Sequence, residues 1–169
     1  MLSKRHVGAL ALFLLSIIVL SACSKGYDQG TGAYNDKVIS VSFPSGWTKI
    51  PAVPNATMTI EHADKNTNMS LFIQKAPDNT TLDDFLKRIS ASQGRLGLQE
   101  TNSGLVRMGD REGQWFVRTV TAGGIAFTSI TYSVMRDATV YSIMGISRSD
   151  AFGQWEPVFD AVAKSLRFD

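Results

Sequence analysis

The chain has 169 residues, with 44% apolar and 19% charged side chains and a mean hydropathy of −0.01. That is one domain's worth of globular sequence, and it excludes a disordered chain, a collagen-like chain and a polytopic membrane protein. Of 17 Lys and Arg, Lys4 and Arg5 precede an apolar run. The remainder holds as many basic as acidic side chains, 15 of each, without the basic excess of a nucleic-acid binder. The one cysteine excludes a disulfide core or a Cys-rich metal site within one chain.

The basic pair opens a segment in which Val7–Leu20 is almost unbroken apolar sequence. As a helix it would span ~21 Å, short of a ~30 Å hydrocarbon core, so it reads as the apolar region of a secretory signal. It ends in Leu20-Ser21-Ala22-Cys23, which resembles the bacterial lipobox. That resemblance implies cleavage after residue 22 and a mature terminus at Cys23, whose thiol takes diacylglycerol, with a further acyl chain such as palmitate on its amine. Two or more acyl chains give stable anchoring where one does not. Ser24 follows, not Asp, which by enterobacterial-type sorting implies the outer membrane over the inner. Ser24–Asp36, with three Gly and little aliphatic content, is predicted to be a flexible tether reaching roughly 20 Å. The expected organisation is therefore a signal peptide over 1–22, a lipidated tether over 23–36 and a single domain over 37–169.

In that domain, Ile39, Val41 and Phe43 alternate with serines as in a half-buried strand, broken at Pro44-Ser45-Gly46, with Trp47 tucked back on the core. Residues 57–62 and 69–74 read as a hairpin around a polar turn. Thr81 caps a helix whose Leu82, Phe85, Leu86 and Ile89 share one face. Asp83 and Asp84 suit its positive end, and Gly94 stops it. Four strands are predicted next, a short one over 105–108 and then 114–121, 125–135 and 139–146, with a glycine hairpin at Gly123-Gly124. On the second of these, Trp115 and Val117 face one side and Phe116 and Val120 the other, so both sides are covered. A last helix carries Trp155, Val158, Phe159, Val162 and Leu166 on one face, and Pro157 places its start close by. The order gives an α+β fold, an antiparallel sheet with two main helices packed against it.

The sequence FPSGW, a polar hairpin ending in SLFIQK, then TLDDFLKRI, a GQWFV strand leading into a meander and a closing helix into SLRF together resemble the PsbP-like fold family. The nearest likeness is to the DcrB-like envelope lipoproteins, which share the lipobox and element order. The resemblance covers nearly all of 37–169 and implies a cell-envelope protein. The family brings no common catalytic motif.

Chemistry-bearing candidates are few. His62, beside Glu61 and Asp64, is the one imidazole left after processing, but adjacent strand residues face opposite sides, so a surface histidine is expected there. Ser-His-Asp chemistry would need His62, and no Gly-x-Ser-x-Gly elbow is present. Ser90 and Ser92 read as a helix end, and Ser147 and Ser149 as a helix start. Capping accounts for Asp83 and Asp84. Gly123-Gly124 precedes no helix and so forms no phosphate cradle. The sequons at Asn55, Asn68 and Asn79 read as turns. No catalytic, metal or cofactor-binding residue is assigned and no cofactor is expected. The site residues are Cys23 for lipidation and Leu20, Ser21 and Ala22 for its recognition. The expected partners are the membrane, through that lipid, and an envelope protein, with no nucleic acid. The leading expectation is a non-enzymatic binding or accessory module. The alternatives are a small-ligand carrier and a hydrolase with a site scattered over loops.

Overall fold

The computed structural model describes residues 26–95 and 97–169. Leu20, Ser21, Ala22, Cys23 and Ser24 lie outside the described residues. In chain order the strands are β1 (Gly26–Asp28), β2 (Ala33–Asn35), β3 (Ile39–Ser42), β4 (Thr48–Ile50), β5 (Met58–Glu61) and β6 (Asn68–Lys75). Helix α1 (Leu82–Gly94) follows, then β7 (Gln99–Met108), β8 (Arg111–Ala122), β9 (Ile125–Arg136) and β10 (Thr139–Arg148), and finally α2 (Phe152–Ser165) and β11 (Arg167–Phe168). They form a four-stranded sheet, β1-β2-β3-β11, and a seven-stranded one, β4-β5-β6-β10-β9-β8-β7, antiparallel throughout.

Register sorts the large sheet into two faces. Leu71, Ile143 and Tyr132 stand side by side on β6, β10 and β9, as do Met69, Gly145 and Ile130. This face is closed by α2 and the small sheet, and the core lies between them. Phe159 of α2 is fully buried. The opposite face carries Phe72, Ser142 and Ser133 in one row, with Phe116 beside Thr131. Helix α1 lies over this face through Phe85, Leu86 and Ile89. As expected, β8 is covered on both sides, Trp115 towards α2 and Phe116 towards α1.

The region read as a tether is part of the fold from Gly26 onward. Its glycines answer to turn geometry. The Asp28 carboxylate accepts the Gly30 N–H at 2.9 Å, and Gly32 adopts φ +73° where a Cβ would meet the Phe43 carbonyl at 2.1 Å. Tyr34 of β2 then inserts into the core. The short strands β4 and β11 were not foreseen. Strand β7 begins at Gln99, not Leu105, since its first half is an exposed polar edge without alternation. Helix α2 begins five residues ahead of Pro157. Pro157 has no N–H to donate to the carbonyl of Gly153, which lies in the first turn, so the helix loses one bond near its start. Ser147 is still within β10 and Ser149 lies in the turn after it, so neither starts the helix.

Candidate functional site

A cleft of about 670 Å³ lies between α2 and the β7 edge of the large sheet. Its floor follows from strand register. Trp115 of β8 pairs with Tyr132 of β9 on one side and Gly104 of β7 on the other. A Cβ on Gly104 would come within 3.0 Å of the indole, so glycine there lets Trp115 lie across the edge strand. Leu105, 67% exposed, forms the rim with Arg107. The wall is the outer face of α2, where Glu156, Asp160 and Lys164 recur at every fourth residue, and Lys164 pairs with Asp160 at 2.7 Å. Burial first, and then the negative charges of Asp160 and Glu156, push the Tyr132 hydroxyl above its ordinary ionisation range, so it stays a neutral donor and acceptor. Two aromatic rings, a rim of Leu105 and Arg107, and a wall of two acids and one base suit contact with a surface of mixed polarity.

A second concavity, of about 280 Å³, lies between α1 and the outer face of the large sheet. Phe72, Phe116 and Met144 give it an apolar lining. On its lining Ser133 and Ser142 bond each other at 2.8 Å, and deeper in the same sheet face Thr59 bonds Ser70 at 2.9 Å. At the far end of α1, Arg118 is only 4% exposed. It stacks over the Phe116 ring at 3.9 Å, pairs with Glu100 at 3.2 Å, and donates to Ser90 and Gln93.

His62 lies on neither cavity's lining. It is half-buried between two indoles, with ring centroids 5.4 Å from Trp47 and 4.6 Å from Trp155, and its Nδ1 is 3.3 Å from Asp64. No group of three or more His, Cys, Asp or Glu gathers as a metal site among the described residues. Asp84 completes the cap, its N–H bonding the Thr81 hydroxyl at 3.1 Å and its carboxylate receiving that hydroxyl at 2.7 Å, while Asp83 pairs with Lys87. Gly123 and Gly124 both take positive φ in the β8–β9 hairpin. Asn55 and Asn79 also have positive φ, and Asn68 opens β6. Ser90 is a partner of Arg118, and Ser92 lies along the α1 groove. Sequence marks Trp115 and Pro157 only as strand-face and helix-start residues, and no cleft residue as part of a site. The available signal was the four-residue charge spacing on the last helix.

No protein-family model and no curated protein sequence matches the chain. Solved structures share its fold. It is similar to CyanoP, the cyanobacterial PsbP of Synechocystis sp. PCC 6803, with a TM-score of 0.68 and 15% identity over 89% of this chain and 99% of that one. It is similar to LpqN, involved in cell envelope biogenesis of Mycobacterium tuberculosis, with a TM-score of 0.58 and 12% identity over 77% and 82%. It also resembles the Ran-binding protein Mog1p of Saccharomyces cerevisiae, with a TM-score of 0.54 and 9% identity over 77% and 89%. The fold is PsbP-like, two helices packed against antiparallel sheets, and at these identities the likeness is one of fold alone.

Proposed function

We propose that this chain is a DcrB-like lipoprotein of the bacterial cell envelope, a non-enzymatic binding or accessory module held by lipid on Cys23. The observation that carries the binding reading is the α2 cleft, where the half-buried Trp115 and the exposed Leu105 lie above the buried Tyr132. Aromatic anchors ringed by polar side chains are what a protein partner uses. The fold is shared with an envelope-biogenesis protein and a Ran-binding protein, which fits an accessory role. Leu20-Ser21-Ala22-Cys23 supports the anchor, and Ser24 supports the outer membrane facing the periplasm.

A photo-cross-linking residue at Leu105 in the native envelope tests this. One discrete envelope-protein adduct is expected from Leu105, weakened by Glu156→Lys on the cleft wall, and none from a control at Lys65. No adduct, or equal adducts from both positions, overturns the cleft as the partner site. Mass spectrometry of the mature chain should find lipid on Cys23, and an unmodified thiol there overturns the anchor. The second reading, a small-ligand carrier, has the α1 groove in its favour. A ligand binding there at 100-fold its Kd would add ~2.7 kcal/mol to stability, readable as an upward shift in a thermal screen.

A further inference from the structure

We propose that the Asp36–Val38 turn, with the C-terminus beside it, is the face that this domain presses against the lipid bilayer. The inference rests on the proposed lipidation of Cys23 and concerns how the domain then sits. Gly26 begins β1, so only Ser24 and Lys25 separate the acylated Cys23 from the first sheet, three Cα–Cα steps in all. Three such steps reach at most about 11 Å.

Register says where that short leash enters. Gly26 pairs with Asn35, Asn35 with Ser40, and Ser40 with Arg167, a single row across the small sheet. Beyond the row, on the side where the chain enters β1, projects the β2–β3 turn. The C-terminus and the β9–β10 turn are joined to it, since the Asp169 N–H bonds the Val38 carbonyl at 3.0 Å and Arg136 Nη1 bonds the Asp169 carbonyl at 3.2 Å. Strand β9 runs from Arg136 at this end to Ile125 at the other, ~36 Å away at strand rise. The leash is too short for an upright domain to turn its Ile125 end to the lipid.

The turn is also built as a contact. The Asp36 carboxylate receives the N–H groups of Val38 and Ile39, both at 3.0 Å, and the Tyr34 hydroxyl at 3.1 Å. Lys37, at φ +76°, has its N–H on the Asn35 side chain at 3.0 Å. Asp36 is thus engaged inside the turn, while Lys37 and Val38 project, and Asp137 in the neighbouring β9–β10 turn pairs with Arg136 at 3.4 Å. Val38, 44% exposed, is one of three large apolar side chains left exposed among the described residues. A lysine beside a bare valine suits a headgroup boundary, the ammonium among phosphates and the methyl groups below.

The test uses the full-length lipidated protein in phosphatidylcholine/phosphatidylglycerol vesicles carrying a headgroup nitroxide lipid. Because Cys23 is the only cysteine and its sulfur is acylated, Val38→Cys or Ile125→Cys takes one fluorophore cleanly. Quenching at position 38 is expected to exceed that at 125 several-fold, in pure phosphatidylcholine as well, since the leash and not charge sets the pose. Equal or reversed quenching in protein whose lipid is confirmed by mass overturns the inference and leaves the lipoprotein reading standing. Contrast lost in pure phosphatidylcholine overturns the leash as its cause. A free thiol at residue 23 overturns both.

Discussion

Gly145 owes its identity to a ring on the other side of the core. A Cβ there would sit 2.3 Å from the Phe159 ring, and Phe159 is wholly buried. Phe159→Ala is expected to cost ~3–5 kcal/mol, and Gly145→Ala ~1–3 kcal/mol by overpacking. The double variant should lose less than their sum, because the new methyl enters the space the ring vacates. Urea unfolding of the three variants checks this, and strict additivity would mean that the two residues are not in contact. Asp64 governs a different property, the response to acid. Partial burial works against its charge, but the N–H of Asn66, the Thr67 hydroxyl and His62 outweigh that and hold its pKa below the ordinary carboxylate value. A lowered folded pKa stabilises the protein fully above the unfolded value of ~3.9, and the contribution is lost as pH falls through the folded value. Asp64→Asn should therefore lower stability at neutral pH and flatten its dependence on pH below about 4, measured as denaturation midpoints across that range.

The two helices differ in how firmly the sheet holds them. Helix α2 buries Phe159, Val162 and Ala163, whereas α1 buries Leu86 alone among its side chains. What else fixes α1 is its Thr81 cap and, near its far end, the bonds from Arg118 to Ser90 and Gln93. Native-state hydrogen exchange should show α1 amides exchanging ahead of those in α2. Arg118→Ala should speed exchange in α1 and leave α2 unchanged. Thr81→Ala should cost ~1 kcal/mol. The elements that sequence revealed are those with a local signature: the capped α1, the Gly123-Gly124 hairpin, the alternating β3, and the β5–β6 hairpin around its polar turn. Where neighbours decide, the signature is missing. Gln99–Ser103 is strand only because β8 offers a partner, and its exposed polar side chains carry no periodicity. The cleft was invisible for the same reason, its floor coming from β8 and β9 and its wall from a helix much later in the chain. His62, read as a surface residue on a hairpin, is packed between two tryptophans from separate elements, a placement only the tertiary fold creates.

At the scale of the molecule, the boundary of the domain decides both how it folds and how it meets the membrane. Gly, Ser and Asp in 24–36 carry the composition of a tether, and composition cannot tell a flexible glycine from one held at positive φ. The structure gives this stretch work in the core. Tyr34 is buried there, β2 pairs with Val41 of β3, and Tyr27 packs edge-on to Phe43 at 6.0 Å while its hydroxyl bonds the Trp47 carbonyl at 3.3 Å. A chain starting at residue 37 would strip one side of β3 and uncover Val41 and Phe43, and the lost burial of Tyr34 alone is worth ~1.5–3 kcal/mol. A chain starting at residue 26 should unfold in one cooperative transition at the midpoint of the longer protein. The chain starting at 37 should unfold several degrees lower or fail to fold, and Tyr34→Ala in the chain starting at 26 should reproduce most of the loss. Were 24–36 a tether, the two truncated chains would melt together and Tyr34→Ala would be neutral, so a pair of thermal scans separates a domain that begins at Gly26 from one that begins at Lys37.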